Sequence, residues 1–463
     1  MPKTHDLSNY LPRGSKIWET SSGPSAACIK HFPAFGLRHP MTAVAKSLSQ
    51  ALQPISAPKT SYLSPLPVQY LGSKNRIREW ILSNITERLN CNKLVDLFAG
   101  TGSVGLGAMQ MGMEVTFNDV QRYSWVLTEA IVNASKVRFD QIKTKLAQPA
   151  FYAKLFKGGR NQYEELVDEE QKIFRAASTH KLNLKSYIAF CQSPVPCSPV
   201  QEQTQAVPRN ALITAYFANA YFGVRQSLEI DALREIAADL SRPESIALMA
   251  ATISAMSATS SSTTHFAQFL KPNNQSAAED LLNRRRVSIL DVVKQRLDQL
   301  QVFGALGLTG ASKNLTAEDF LKTQNVPKKA VVYMDPPYFK EHYSRYYHVL
   351  ETFVLYDFPE VSLDQITKKL SIGRYRTERF ASDFGYKSKA VHAFLNVIQL
   401  CRKKNLKVAV SYADKSLVPL KTIAELGEAN GYSVKSLTVT LNHSGQGQPR
   451  HRAATEALFL FDL

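Results

Sequence analysis

The stretch that decides the fold is Lys93–Asp119, KLVDLFAGTGSVGLGAMQMGMEVTFND. KLVDLF is a short apolar run of strand length. AGTGSVGLGAMQMG follows as a glycine turn opening a helix of small residues, and MEVTFND closes the unit as a second strand. A strand, a crossover helix and a second strand predict a parallel sheet. Gly100, Gly102 and Gly105 stand directly after the first strand, where glycine lets the backbone turn tightly and approach a ligand. The helix mouth adds partial positive charge. Asp119 ends the second strand about twenty residues on, placed to accept hydrogen bonds from a ribose. The pattern alone reads equally as a dinucleotide site. Asp96, inside the first strand, shifts the reading: a carboxylate there repels a pyrophosphate but suits the ammonium and sulfonium of S-adenosylmethionine.

Outward from this unit, IREWILSNITERL is an amphipathic helix with Ile77, Trp80, Ile81 and Ile85 on one face. The α/β texture returns at AVVYM (330–334), LKVAVSY (406–412), SVKSLTVTLNH (433–443) and EALFLF (456–461), the last two close enough for an antiparallel edge hairpin. Between the two α/β pieces the pattern is mainly helical, with a loop expected at SAMSATSSSTTH (254–265). The expected organisation is a flexible arm over 1–62, one α/β domain in two pieces, 63–135 and 326–463, and a large insertion over 136–325. The fold class is α/β: a Rossmann-like, mostly parallel sheet with an antiparallel C-terminal edge and a large helical insertion.

The strand VVYM ends at Asp335-Pro336-Pro337-Tyr338. Carboxyl ends of parallel strands are where open α/β sheets bind ligands. The prolines fix their own φ angles and restrict the residues before them. Asp335 and the Pro336 carbonyl then form a rigid pair of acceptors beside an aromatic ring, suited to a planar ligand bearing an NH2 group.

The 463-residue chain carries a formal charge of +17 with 44% hydrophobic residues. It is globular, and so large a positive surplus makes nucleic acid the leading partner class. Five scattered cysteines lack zinc-ligand spacing and are expected to be reduced thiols. No metal site is expected. No apolar run approaches membrane-spanning length and no signal-peptide pattern opens the chain, so a cytoplasmic, nucleoid-associated protein is expected.

Together these motifs resemble the Dam-like alpha group of N6-adenine DNA methyltransferases. Tyr70-Leu-Gly-Ser-Lys74 resembles the group's N-terminal motif, Asp96–Ser103 its main cofactor motif, Asn118-Asp119 its ribose-binding acid, and Asp335–Tyr338 its catalytic signature. AYFGVRQSLEID (220–231) and HFAQFLKP (265–272) also look family-like. The resemblance implies S-adenosylmethionine as cofactor, with Tyr70, Lys74, Asp119 and Asp335 touching it beside the backbone of Phe98, Ala99, Gly100, Thr101, Gly102 and Ser103. It implies Asp335, Pro336, Pro337 and Tyr338 as the catalytic group acting on a flipped-out adenine of double-stranded DNA. A restriction or other defence partner, and a monomer, are the expected context. Methylation of another planar amine, a silent DNA-binding module and an NAD oxidoreductase are the alternatives.

The expected DNA contacts are basic and aromatic. KKLSIGRYRTERFASDFGYKSK (368–389) carries seven Lys/Arg against two acids with aromatics interleaved, a composition suited to phosphate contacts and base stacking. Arg374, Tyr375, Arg376 and Arg379 are its candidates, joined by Arg284, Arg285, Arg286 and, for the base itself, Phe339. His342 and His348 are expected to pack rather than act as bases.

Overall fold

The computed structural model describes residues 64–147, 150–179, 183–193, 195–198, 207–337, 343–363, 371, 373–443 and 452–463. The expected arm (1–62), Tyr338, Phe339 and His342 lie outside the described residues.

Among the described residues, seven strands form one sheet in the order β3-β2-β1-β4-β5-β7-β6. They are β1 (Lys93–Asp96), β2 (Glu114–Asn118), β3 (Gly310–Lys313), β4 (Ala330–Met334), β5 (Lys407–Ala413), β6 (Ser433–His443) and β7 (Arg452–Asp462). The pairs from β3 across to β5 are parallel, and β7 runs antiparallel to both β5 and β6. The expected C-terminal hairpin is therefore present, with β7 inserted between β5 and the edge strand. Every residue of β4 is buried, as a central parallel strand covered on both faces requires.

The chain leaves β1 toward β2 and β3, then returns across β1 to β4. This reversal puts the switch point between β1 and β4, whose ends are paired by Asp96 opposite Tyr333. The Leu97 N–H donates to the Tyr333 carbonyl at 3.0 Å, so the two strand ends stay joined as the chain turns away. β3 lies within the region expected to be inserted, so the sheet resumes at Gly310, before the expected boundary at 326. Its short, polar GASK offers no apolar strand signal; close backbone approach makes the pairing, with a Cβ on Gly310 falling 2.7 Å from the Val115 carbonyl oxygen.

The helix Arg78–Leu89 buries Ile81, Leu82, Ile85 and Leu89, with Ile77 at its start, while Trp80 stays half-exposed. Helical residues between β2 and β3 pack on the sheet layer. Arg242–Thr259 is buried along almost its whole length and packs against the helix Arg122–Val132 that follows β2. The loop expected over 254–265 is corrected over its first half: the helix runs to Thr259, and the irregular segment begins at Ser260, with Ser260–Ser262 buried. Hydroxyl groups make this possible by bonding to backbone. Ser254 donates to the Pro67 carbonyl at 2.6 Å, Ser257 accepts from Gln69 N at 2.9 Å, and Thr259 donates to Ala255.

Buried carboxylates cap helices from afar. Glu351 accepts from the N–H groups of Arg122 and Tyr123, Glu170 from Val224 and Arg225, and Glu229 from Ile289 and Leu290. Each satisfies backbone donors that a helix start leaves open and places negative charge at the positive end of the dipole. His348 packs as expected: it is fully buried, with Nε2 3.0 Å from the Phe266 carbonyl, and burial holds its pKa down at about 3.

Candidate active site

At the switch point the chain turns through Gly100 (φ +53°) and Gly102 (φ +74°), left-handed conformations that glycine adopts without a Cβ penalty. Gly105, one turn into the helix Ser103–Gln110, serves packing, since a Cβ there would lie 2.2 Å from the Phe117 ring. Two acids hold the turn from opposite sides. Asp96 Oδ2 accepts from Gly105 N at 3.0 Å. Asp119 Oδ2 accepts from Gly100 N at 2.8 Å, and its Oδ1 accepts from Gln121 N at 2.8 Å. Asn118 donates to the carbonyls of Leu97 and Leu315, bracing the ends of β1 and the segment after β3.

Tyr70 lies over this turn, its ring 3.0 Å from where a Cβ of Gly100 would be. It is held by an aromatic stack, with the Tyr347 ring 4.8 Å away at 15° and Tyr343 at 5.4 Å. The Tyr347 hydroxyl accepts from Leu71 N at 2.7 Å. Behind Tyr70, the buried Lys74 places Nζ 3.0 Å from Asp335 Oδ1 and 3.7 Å from Glu456 Oε1. Asp335 leaves the end of β4 between Met334 and the buried Pro336.

These elements enclose a cavity of about 310 Å3. Of the expected residues, Tyr70, Lys74, Asp96, Phe98, Ala99, Gly100, Thr101, Ser103, Asn118, Asp119, Asp335 and Pro337 line it, while Gly102 shapes the turn and Pro336 is buried beside it. Among the described residues its charged lining is Asp96, Asp119, Glu318, Asp335 and Asp383 against Lys74 alone, so five carboxylates face one ammonium in a chain of net charge +17. Burial raises the pKa of Asp96 to about 7, and Asp335 and Asp119 push it the same way. Burial also raises Asp335, with Lys74 pulling the other way. Such a cavity disfavours a pyrophosphate and favours a ligand carrying positive charge. Asp119 is fixed by the backbone donors of Gly100 and Gln121 at the cavity wall. The donor set thus fits the sulfonium, ammonium and ribose of S-adenosylmethionine.

Several lining residues were not anticipated. Leu315–Glu318 follow β3, a strand without an apolar signal. Phe380, Asp383 and Phe384 come from the basic loop, where Phe384 meets Phe98 edge-on at 5.1 Å. The one available clue was the interleaving of Phe380 and Phe384 with basic residues in that loop; nothing in the local sequence marked Leu315–Glu318.

Most of the expected DNA contacts have hydrogen-bond partners within the chain. Arg285 is buried and donates to Asn219, Ala220 and the Cys191 sulfur. Arg284 donates to the Ser260 carbonyl, and Arg286 to the Phe174 carbonyl and Ser178. Arg374, at φ +51°, donates to the Tyr216 and Ala218 carbonyls. Tyr375 is buried and donates to the Ala267 carbonyl. Arg376, also buried, forms a two-pronged pair with Asp357 at 2.6 and 3.2 Å. Arg285, Tyr375 and Arg376 are thereby withdrawn from the solvent face, whereas Arg284 and Arg374 are half-buried and Arg286 is exposed. Arg379 is exposed, 5.2 Å over the Tyr375 ring.

A doubly wound sheet with a glycine turn, an acidic cleft and an Asp-Pro-Pro turn at its switch point defines an S-adenosylmethionine-dependent methyltransferase class. More than half of the chain, residues 70–196 and 295–421, matches the family model of the D12 class N6 adenine-specific DNA methyltransferases, and the chain belongs to that family. It is also 25% identical over 362 residues to the modification methylase LlaI of Lactococcus lactis subsp. lactis. That match covers 78% of this chain and 48% of the relative, so the chain spans about half the length of the curated relative it matches. Among the described residues no helix is long and apolar enough to cross a membrane.

Proposed function

We propose that this chain methylates N6 of adenine in double-stranded DNA, with S-adenosylmethionine as donor, as the modification enzyme of a restriction–modification system. The observation that carries the reading is the placement of Asp335, at the end of β4 and in the wall of an acidic cavity that also contains the Gly100 turn. Family membership and the modification methylase relative support it.

The cofactor supplies a methyl group already activated by its sulfonium. The protein's task is alignment and charge stabilisation. Adenine N6 is a poor nucleophile because its lone pair is delocalised into the ring. The Asp335 carboxylate and the Pro336 carbonyl accept the two amino hydrogens, draw the nitrogen toward sp3 geometry and stabilise the positive charge that develops. Lys74 holds Asp335 in orientation through the 3.0 Å pair. Asp96 and Asp119 fix the turn beneath Tyr70 and complement a cationic, hydroxyl-bearing ligand. In a duplex N6 is paired, so the adenine flips out at a cost of about a few kcal/mol. The helical residues between β2 and β3 serve as the target-recognition region in this reading.

The test is incubation with mixed-sequence duplex DNA and labelled S-adenosylmethionine, followed by mapping of N6-methyladenine. Methyl groups at adenine N6 within one short sequence are expected. Label recovered only on cytosine, or on none of the DNA, overturns the proposal.

A further inference from the structure

We infer that Glu456 is a positioning residue for methyl transfer, dividing the Lys74 ammonium with Asp335 and so keeping Asp335 the stronger hydrogen-bond acceptor; the inference rests on the reading just proposed. Glu456 does not line the cavity. It comes from β7, opposite Ala413 of β5 and Val439 of β6, and is only 6% exposed. Its Oε1 lies 3.7 Å from Lys74 Nζ, on an ammonium that also sits 3.0 Å from Asp335. Its Oε2 is buried and finds no hydrogen-bond donor among the described residues. A buried carboxylate with half its acceptors open is expensive for stability alone. Here it faces the one cation that controls the catalytic acid.

The charged and titratable groups around Glu456 are Lys74, Asp335 just after β4, Tyr333 on β4 and Asp414 just after β5, with Tyr343 near Lys74. Among them Lys74 is the cation, and the Asp335 charge raises the cost of ionising Glu456; repulsion between like charges acts on both members of such a pair. A lysine bound to Asp335 alone would neutralise it and weaken its hold on an amino group. Sharing that lysine with Glu456 prevents this. Removing the Glu456 charge therefore acts on Asp335 twice, by freeing Lys74 for it and by deleting a like charge. Both lower its pKa.

Glu456→Gln keeps shape and removes charge, so it is compared with wild type in single-turnover methylation across pH and in 13C NMR of carboxyl-labelled aspartate. The Asp335 resonance is assigned by its loss in Asp335→Asn. The variant is expected to titrate Asp335 about one pH unit lower, the size of a single charge effect at this range. The acid limb of the rate profile should move with it. The plateau rate should fall roughly tenfold, less than the hundredfold or more that follows loss of a direct transition-state contact. KM for DNA should hold, and Glu456→Asp should restore the titration in part. If Glu456→Gln is unstable, the Glu456→Asp titration decides alone, since its shorter arm still predicts a smaller downward shift. An Asp335 titration and acid limb that do not move in either variant overturn the inference while leaving the enzymatic reading intact. A wild-type protein that methylates no DNA overturns that reading and, with it, the role assigned to Glu456.

Discussion

Lys74 Nζ lies 3.0 Å from Asp335 Oδ1, joining a buried lysine before the first helix of the sheet layer to the end of its central strand. The pair spans the switch point and turns two separate sequence motifs into one wall of the cavity. It also sets the Lys74 charge against one oxygen of the Asp335 carboxylate.

Asp335→Asn should remove the negative charge and one of the two acceptor oxygens while keeping shape. Methylation is expected to fall by at least about a hundredfold, the scale for losing a preorganised charge-stabilising group. DNA affinity by fluorescence anisotropy should largely survive, because the acid contributes to transfer rather than to backbone contacts. Near-normal turnover in a folded variant would contradict the assigned role.

Gly105→Ala tests the turn. The new Cβ would fall 2.2 Å from the Phe117 ring, which is fully buried and has little room to retreat. A loss of about 1–3 kcal/mol is expected from overpacking. Calorimetry should also show weaker S-adenosylmethionine binding, because Asp96 loses its geometry on the Gly105 N–H.

Stability should depend on pH through buried acids held above the usual carboxylate range. Burial raises Asp96 and Glu351 to about 7 and Asp231 to about 6. For such groups the folded state binds the proton more tightly than the unfolded state. Their contribution is complete below the unfolded pKa of about 4 and is lost as pH rises through the folded values. Thermal unfolding followed from pH 5 to 8 should therefore show a declining component. Glu351→Gln should flatten part of it, at the expense of the two N–H groups it caps at Arg122 and Tyr123. A slope identical to wild type would argue against these shifts.

Arg376→Ala separates structure from DNA contact. Its partner Asp357 would lose a buried, two-pronged ion pair. A loss of about 3 kcal/mol is expected, the low end for breaking a buried pair, because Asp357 is partly in water. Denaturant unfolding should report it, while the salt dependence of DNA binding stays as in wild type. A shallower salt slope with unchanged stability would return Arg376 to the phosphate-contact role.

The sheet strands β1, β2 and β4 to β7, the glycine turn and the Asp335 turn were legible because each is written locally. Apolar runs of strand length, glycines at a turn and prolines after a strand restrict the backbone without help from distant residues. β3 was not, since GASK pairs through its backbone and carries no hydrophobic pattern. The serines after Ser254 looked like a loop because their hydroxyls find partners only in the folded chain, at Pro67 and Gln69.

By itself the sequence determined the α/β class, the order of the motifs and most of the cavity wall, since these depend on backbone restrictions and short-range periodicity. Only the tertiary structure decided what each charge does. Arg285, Arg374 and Arg376 looked like contacts for DNA and are internal donors, whereas Glu456 gave no signal and meets Lys74 at 3.7 Å. A charge acts on whatever lies within a few ångströms of it, and in a folded chain that neighbour is set by sheet order and not by position along the sequence.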